Sequence, residues 1–245
     1  MKIEQAIVAT TTMLQMQHDV NVVMNKTEDW VSLNRPWYRA IWTEASEIVT
    51  EWVDWEWWKK GQVSVYQAQL ELVDIFHFIL SNALQNRDPD EESFEDVAYV
   101  VATQLYDQLG KSAVLDLPED IEGLCGVAER FINDTIEFHQ PDLGYFADLM
   151  NALDFSFEAL YMWYIGKNQL NHFRQGHGDK EGTYVRNWVF SADGDTVADN
   201  ACLENIVTSA IKANMDTDGF ADHVTKELDS RWEIHLSYTG ENDAG

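Results

Sequence analysis

Two acids three residues apart lie in a segment that is otherwise almost wholly apolar, LELVDIFHFILS, and this most constrains what the chain can fold into. Leu72, Val73, Ile75, Phe76, Phe78, Ile79 and Leu80 leave only the polar line Gln67, Glu71, Asp74 and Ser81. A helix apolar on nearly every side is a buried helix. Its carboxylates must therefore face a partner inside the protein. The preceding helical segment carries a second pair, Glu44 and Glu47 in WTEASEIV. An i, i+3 spacing puts both members of a pair on one helix face. Burying like charges together is costly unless a cation binds them.

Carboxylate oxygens are hard ligands and suit Mg²⁺ or Mn²⁺. Two antiparallel helices could present Glu44, Glu47, Glu71 and Asp74 to two or three such ions. Ions so placed clamp the attacking and leaving oxygens of a displacement at phosphorus. The competing explanation is that each pair forms salt bridges with Arg or Lys from another helix. Only 16 basic residues are present to do so. A different metal reading uses Asp74 and His77, whose carboxylate-xx-His spacing occurs in di-iron bundles. That architecture needs a second such motif, and no other Asp or Glu has a His three residues on. His77 is then a ligand-facing residue or a satisfied core histidine.

With 245 residues and 45% hydrophobic content, the chain can bury a sizeable core. No apolar run reaches membrane-spanning length, and the N-terminus has no signal-peptide pattern. Cys125 and Cys202 have neither metal-ligand spacing nor a disulfide framework, which fits a reducing cytoplasm. The net charge of −27 disfavours nucleic acid or an anionic membrane as partner, since both are polyanions. Most of the acid excess reads as solvated surface.

Helical periodicity runs through nearly every long segment, and none shows strand alternation bounded by hairpin turns. The expected helices are Ile3 to Asn25, Pro36 to about Lys60, and, after a break at Gly61, Val65 to Asn86. Others are expected at Ser93 to Leu109, Glu119 to His139 and Gly144 to about Phe173. One or two more fall between Asn200 and Asp229, and the final TGENDAG looks frayed. On the second helix Ile41, Ala45, Ile48, Val49 and Trp52 form an apolar stripe. Glu44, Glu47, Glu51 and Asp54 lie beside it. The expected fold is all-α: a helical bundle with paired acidic helices and a smaller C-terminal helical section.

Tyr164 to Trp188 holds Lys167, Arg174, Lys180 and Arg186 against only Asp179 and Glu181, a basic island in an acidic chain. With Asn168, Asn171, Gln175 and Tyr184 it is rich in donors suited to phosphate oxygens. Gly176, Gly178 and Gly182 would let the loop approach a ligand closely. It lacks GxxxxGK[ST], so it is no Walker A loop.

In these blocks the chain resembles the dimeric all-α dUTPases of the all-α NTP pyrophosphatase superfamily. The blocks occur in order: LQMQHDVN, WYRAIWTEASEIV with DWEWWKK, LELVDIFHFILS, and YIGKNQLNHFRQGHGDKEGTYVRNW with a later Asp199–Asn200. The resemblance implies Mg²⁺-dependent hydrolysis of dUTP to dUMP and pyrophosphate by a cytoplasmic homodimer. A viral protein would work in the host cytoplasm. Glu44, Glu47, Glu71 and Asp74 would hold the metal, with Mn²⁺ as a possible substitute. Glu47 would help deprotonate the attacking water. Gln17 and Asn21 would read the base edge; His77, Phe78 and Trp58, or its neighbour Trp57, would wall its pocket. Lys167, Asn171, Arg174, Lys180, Tyr184 and Arg186 would hold the phosphates. A single domain, residues 1–245, is implied, with a core over 1–175 and a mobile phosphate-binding loop and C-terminal helices over 176–245. The alternatives are a dCTP or mixed dCTP/dUTP preference, or a non-catalytic regulatory homologue.

Three departures from the family pattern stand out. Asp179 takes a position usually held by tyrosine, and Arg186 one usually held by lysine. The stretch VFSADGDTVADN is longer than the usual link, and Ala198 stands where an acid precedes Asp199–Asn200.

Overall fold

Several helix starts in this chain are set by short polar side chains that take up the first unpaired amides. Ser64 Oγ accepts from Gln67 N at 3.2 Å and opens one helix. Ser93 and Asp96 form a reciprocal box: Ser93 N donates to Asp96 Oδ2 at 2.9 Å, and Asp96 N to Ser93 Oγ at 3.2 Å. Those Ser93 hydrogen bonds hold the Asp96 carboxyl below its usual range. Asp142 Oδ1 accepts from Gly144 N at 2.7 Å and from Tyr145 N at 3.0 Å.

The computed structural model describes residues 1–51, 53, 55–58, 60, 64–112, 121–213, 215–217 and 219–240. Its backbone divides into two compact units, Met1–Tyr161 and Met162–Gly245. Among the described residues the elements are α1 (Ile3–Asn25), a 3₁₀ turn (Val31–Leu33), α2 (Trp37–Glu51), α3 (Val65–Asn86), α4 (Phe94–Ser112), α5 (Ile121–Phe138), α6 (Leu143–Ala152), α7 (Phe157–Gly176), β1 (Asn187–Val189), β2 (Thr196–Ala198), α8 (Asp199–Lys212) and α9 (Phe220–Thr239). The fold is all-α, as expected. No described helix is long and apolar enough to cross a membrane.

In the first unit the packing neighbours close into a ring, α1–α3–α2–α5–α6–α4 and back to α1. Aromatic side chains fill its interior. Phe76 of α3 stacks on Phe146 of α6 at 5.8 Å, and Phe131 of α5 meets Phe146 at 6.0 Å. Leu72, Val73, Ile75, Phe76 and Leu80 are all fully buried, so α3 is the central helix that its composition predicts.

Three expectations about the helices are corrected. The second helix ends at Glu51, not near Lys60. Trp55 N donates to Val53 O, and Trp57 N to Trp55 O, so these amides bond two residues back where a helix bonds four back. The expected helix from Gly144 to Phe173 is two helices. Phe155 N donates to Met150 O at 2.8 Å around Asp154, whose φ of 50° is left-handed, and Ser156 Oγ then caps α7 through Ala159 N at 3.1 Å. Leu153, Phe155 and Phe157 are buried across the break, so the apolar pattern never lapses there. The third correction is a two-stranded antiparallel ribbon, Asn187–Val189 against Thr196–Ala198, in a stretch expected to have no strand. VFSADGDTVADN forms this hairpin, turned by Gly194 at φ 82° and tied by Ser191 Oγ to Asp195 Oδ2 at 2.9 Å. Trp52, Asp54, the Gly61 break, the start at Glu119 and the last five residues lie outside the described residues, as does the side chain of Glu51.

The second unit packs α8 and α9 together and lays β1 on α9. Phe173, His177, Tyr184, Trp188 and Trp232 form its aromatic cluster, with Tyr184 stacked on Trp232 at 5.6 Å. Val189 N donates to His235 Nδ1 at 3.0 Å, which pins the ribbon to α9. Burial pushes the Cys202 thiol up to about 11.

Close approach of α8 to α7 depends on Gly166. A Cβ there would lie 2.8 Å from Val207 Cγ2 and 3.1 Å from Leu203 Cδ1. Both neighbours are fully buried. Gly166→Val is therefore expected to lower stability by about 1–3 kcal/mol, the usual cost of overpacking. A urea titration measures it, and an unshifted midpoint would show that α8 moves aside freely.

Candidate metal centre and nucleotide site

Packing of α2 along α3 brings the α2 acidic pair together with Glu71 of the second pair. Ligand oxygens of Glu44, Glu47 and Glu71 all lie within 4.8 Å of one another. Glu71 is buried and the two α2 carboxylates are half-buried. Asp74 is half-buried one turn further along α3, outside that trio. Two unit charges 4.8 Å apart repel by about 3 kcal/mol at an effective dielectric near 20. Three such contacts favour a cation strongly. Oxygens around an octahedral Mg²⁺ are about 3–4 Å apart. The trio's oxygens lie within 4.8 Å of one another, and their all-oxygen chemistry suits a hard divalent ion.

The expected base-reading residues form a buried polar chain. Gln17 Nε2 donates to Asn21 Oδ1 at 3.2 Å, Asn21 Nδ2 to Ser81 Oγ at 3.0 Å, and Ser81 Oγ to the His77 carbonyl at 2.9 Å. His77 is itself buried, with Nδ1 at 2.8 Å from Val73 O. A carbonyl only accepts, so Nδ1 carries the proton. Phe78 stacks on Trp37 at 6.0 Å, and Trp37 Nε1 donates to Gln85 Oε1 at 3.0 Å. Trp58 instead stands edge-on to Trp55 and Trp57, and is 56% exposed. Trp37 and Ser81 were given no role in the sequence reading. Ser81 lies on the polar line of α3, and Trp37 opens the block WYRAIWTEASEIV.

In the second unit, Lys167, Asn171 and Arg174 follow at i, i+4 and i+7 along α7. Lys167 and Arg174 are buried. Arg174 forks onto Asp199, with Nε to Oδ2 and Nη2 to Oδ1 both at 2.8 Å, and Nη2 also reaches Asn200 Oδ1 at 3.0 Å. Tyr184 OH donates to Asp199 Oδ2 at 2.9 Å. Burial pulls the Arg174 guanidinium down, but the Asp199 hydrogen bonds and charge outweigh it, so the net direction is up. Burial first, then the Asp199 charge, raises the Tyr184 phenol. Asp199, at the start of α8, is thus the acceptor that gathers two of the expected phosphate ligands.

Lys180 is exposed on the loop, and Arg186 Nη2 meets Asp179 Oδ1 at 3.0 Å. Asp179 and Arg186, two of the positions that the resemblance marks as departures, pair with each other here. A fork-shaped donor suits the carboxylate better than an ammonium.

The scaffold is all-α, and among its described residues a carboxylate trio is able to hold a metal ion. Residues 9–178 match the family model described as dUTPase, more than half of the chain, and the chain belongs to that family. Among curated proteins, no sequence matches.

Proposed function

We propose that this protein hydrolyses dUTP to dUMP and pyrophosphate with Mg²⁺ held by Glu44, Glu47, Glu71 and Asp74, two or three ions in all, with Mn²⁺ able to substitute. The observation that carries the reading is the Glu44–Glu47–Glu71 trio, within 4.8 Å, inside the segment that matches the dUTPase family. Bound Mg²⁺ supplies charge neutralisation for the triphosphate and acidifies coordinated water. Glu47 accepts a proton from the attacking water, whose oxygen bonds to phosphorus as the α–β phosphoanhydride bond breaks. Pyrophosphate leaves and dUMP remains. Gln17 and Asn21 read the base edge, and His77, Phe78 and Trp58 wall the base. Trp37, which stacks on Phe78, fixes that ring in place.

The phosphates fall to Lys167, Asn171, Lys180 and Arg186 on this reading, together with Arg174 and Tyr184 in the orientation that Asp199 gives them. The protein acts on a soluble nucleotide as a cytoplasmic homodimer, which fits the acid excess and the lack of a membrane-spanning helix among the described residues. Its service is removal of dUTP from the nucleotide pool and supply of dUMP.

A panel of dUTP, dCTP, dTTP and UTP, assayed for pyrophosphate release, tests this. The highest kcat/KM is expected for dUTP. Equal turnover of dCTP would make the enzyme a mixed dCTP/dUTP pyrophosphatase, and no turnover of any would make it a non-catalytic homologue.

A further inference from the structure

A hydrogen-bonded chain of amides and hydroxyls has a direction, and one fixed end decides it for every member. The fixed end here is the His77 main-chain carbonyl, which can only accept. Ser81 has one hydroxyl hydrogen, and it goes to that carbonyl at 2.9 Å. Its oxygen then accepts from Asn21 Nδ2 at 3.0 Å. Asn21 must turn its Oδ1 the other way, where it takes the Gln17 Nε2 hydrogen at 3.2 Å. The Gln17 carboxamide is thereby oriented too, its Oε1 directed away from Asn21. Ser81 is fully buried, and Gln17 and Asn21 are each only 3% exposed, so water is poorly placed to reverse the chain. Flipping Asn21 alone would set oxygen against oxygen at Ser81 and donor against donor at Gln17.

Direction matters because uracil and cytosine differ in it. The ring nitrogen N3 of uracil carries a hydrogen beside the O4 acceptor; in cytosine N3 is a bare acceptor beside a donating amino group. A carboxamide pairs with either edge, but in opposite orientations. We infer that Ser81, anchored to the His77 carbonyl, fixes the direction of the Asn21–Gln17 amide pair and so selects uracil over cytosine. This rests on the dUTP reading above, in which Gln17 and Asn21 face the base. Ser81 acts through Asn21 and is a positioning residue.

The test compares kcat/KM for dUTP and dCTP on the same preparation of wild type and of Ser81→Ala, Ser81→Cys and Ser81→Thr. Damage to folding lowers both substrates together and cancels in the ratio. Loss of one buried hydrogen bond worth roughly a factor of ten should lower the dUTP:dCTP ratio at least about tenfold in Ser81→Ala. Ser81→Cys, nearly the same size with a weak thiol donor, should also lower it and serves if the alanine variant does not fold. Ser81→Thr keeps a hydroxyl that can bond four residues back, as Thr10 does to Ala6 O at 2.9 Å in α1. It should restore the ratio to within about threefold of wild type, since the same bond is remade. A ratio unchanged in both the alanine and cysteine variants overturns the inference, as does a wild type that turns over the two nucleotides equally. A wild type that hydrolyses neither nucleotide strikes the functional reading instead.

Discussion

Pyrophosphate release from dUTP is expected to fall about a thousandfold or more when Glu71 becomes Gln and Asp74 becomes Asn together. Electrostatic stabilisation of a transferring phosphoryl group by metal ions is worth several kcal/mol, and these changes remove the α3 carboxylates proposed to hold those ions. Both substitutions keep size and shape, so the α3 core around Leu72, Val73 and Ile75 stays filled. Stability should move the opposite way from activity. Glu71 lies within 4.8 Å of Glu44 and Glu47, so its neutral isostere relieves repulsion on the order of 3 kcal/mol per pair at an effective dielectric near 20. The variant is expected to melt no lower than wild type in chelator. It should also lose the rise in Tm that Mg²⁺ gives the wild type by mass action. Activity retained, or Mg²⁺ stabilisation retained, would remove these residues from the metal centre.

Asp199→Ala is expected to cost about 3–5 kcal/mol of stability, the largest loss from a single polar substitution here. Asp199 is 2% exposed and accepts from Arg174 twice and from Tyr184 once. Its removal leaves a buried guanidinium without its counter-charge. Asp199→Asn keeps an acceptor and should cost less. Urea unfolding followed through tryptophan fluorescence, with Trp232 stacked on Tyr184 and Trp188 edge-on to Trp232, reads both variants. A loss below about 1 kcal/mol for the alanine variant would mean that the ion pair contributes no more than an exposed one.

The acidic trio was legible because i, i+3 spacing in a buried helix allows few explanations. The ends of α1 and α3 were legible from apolar periodicity, and in the fold Ser64 caps α3. The break between α6 and α7 was hidden. Leu153, Phe155 and Phe157 are buried on either side of it, and the turn uses Asp154 where glycine would have signalled a left-handed residue. The early end of α2 was missed because tryptophans continue the apolar count after the helical bonding has stopped. Asp199 shows another limit. Its partners lie 15 and 25 residues away, and no local pattern couples residues at such separations. The Asp179–Arg186 pair was visible as two separate departures from the family pattern. Only the fold shows that one answers the other.

The most direct test of the metal-centre account is a product balance on dUTP. Wild-type protein is stripped with chelator, assayed, and assayed again after Mg²⁺ is restored. The account predicts no turnover without the ion and equimolar dUMP and pyrophosphate once it returns. Hydrolysis that continues in chelator, or release of orthophosphate with dUDP, would contradict it.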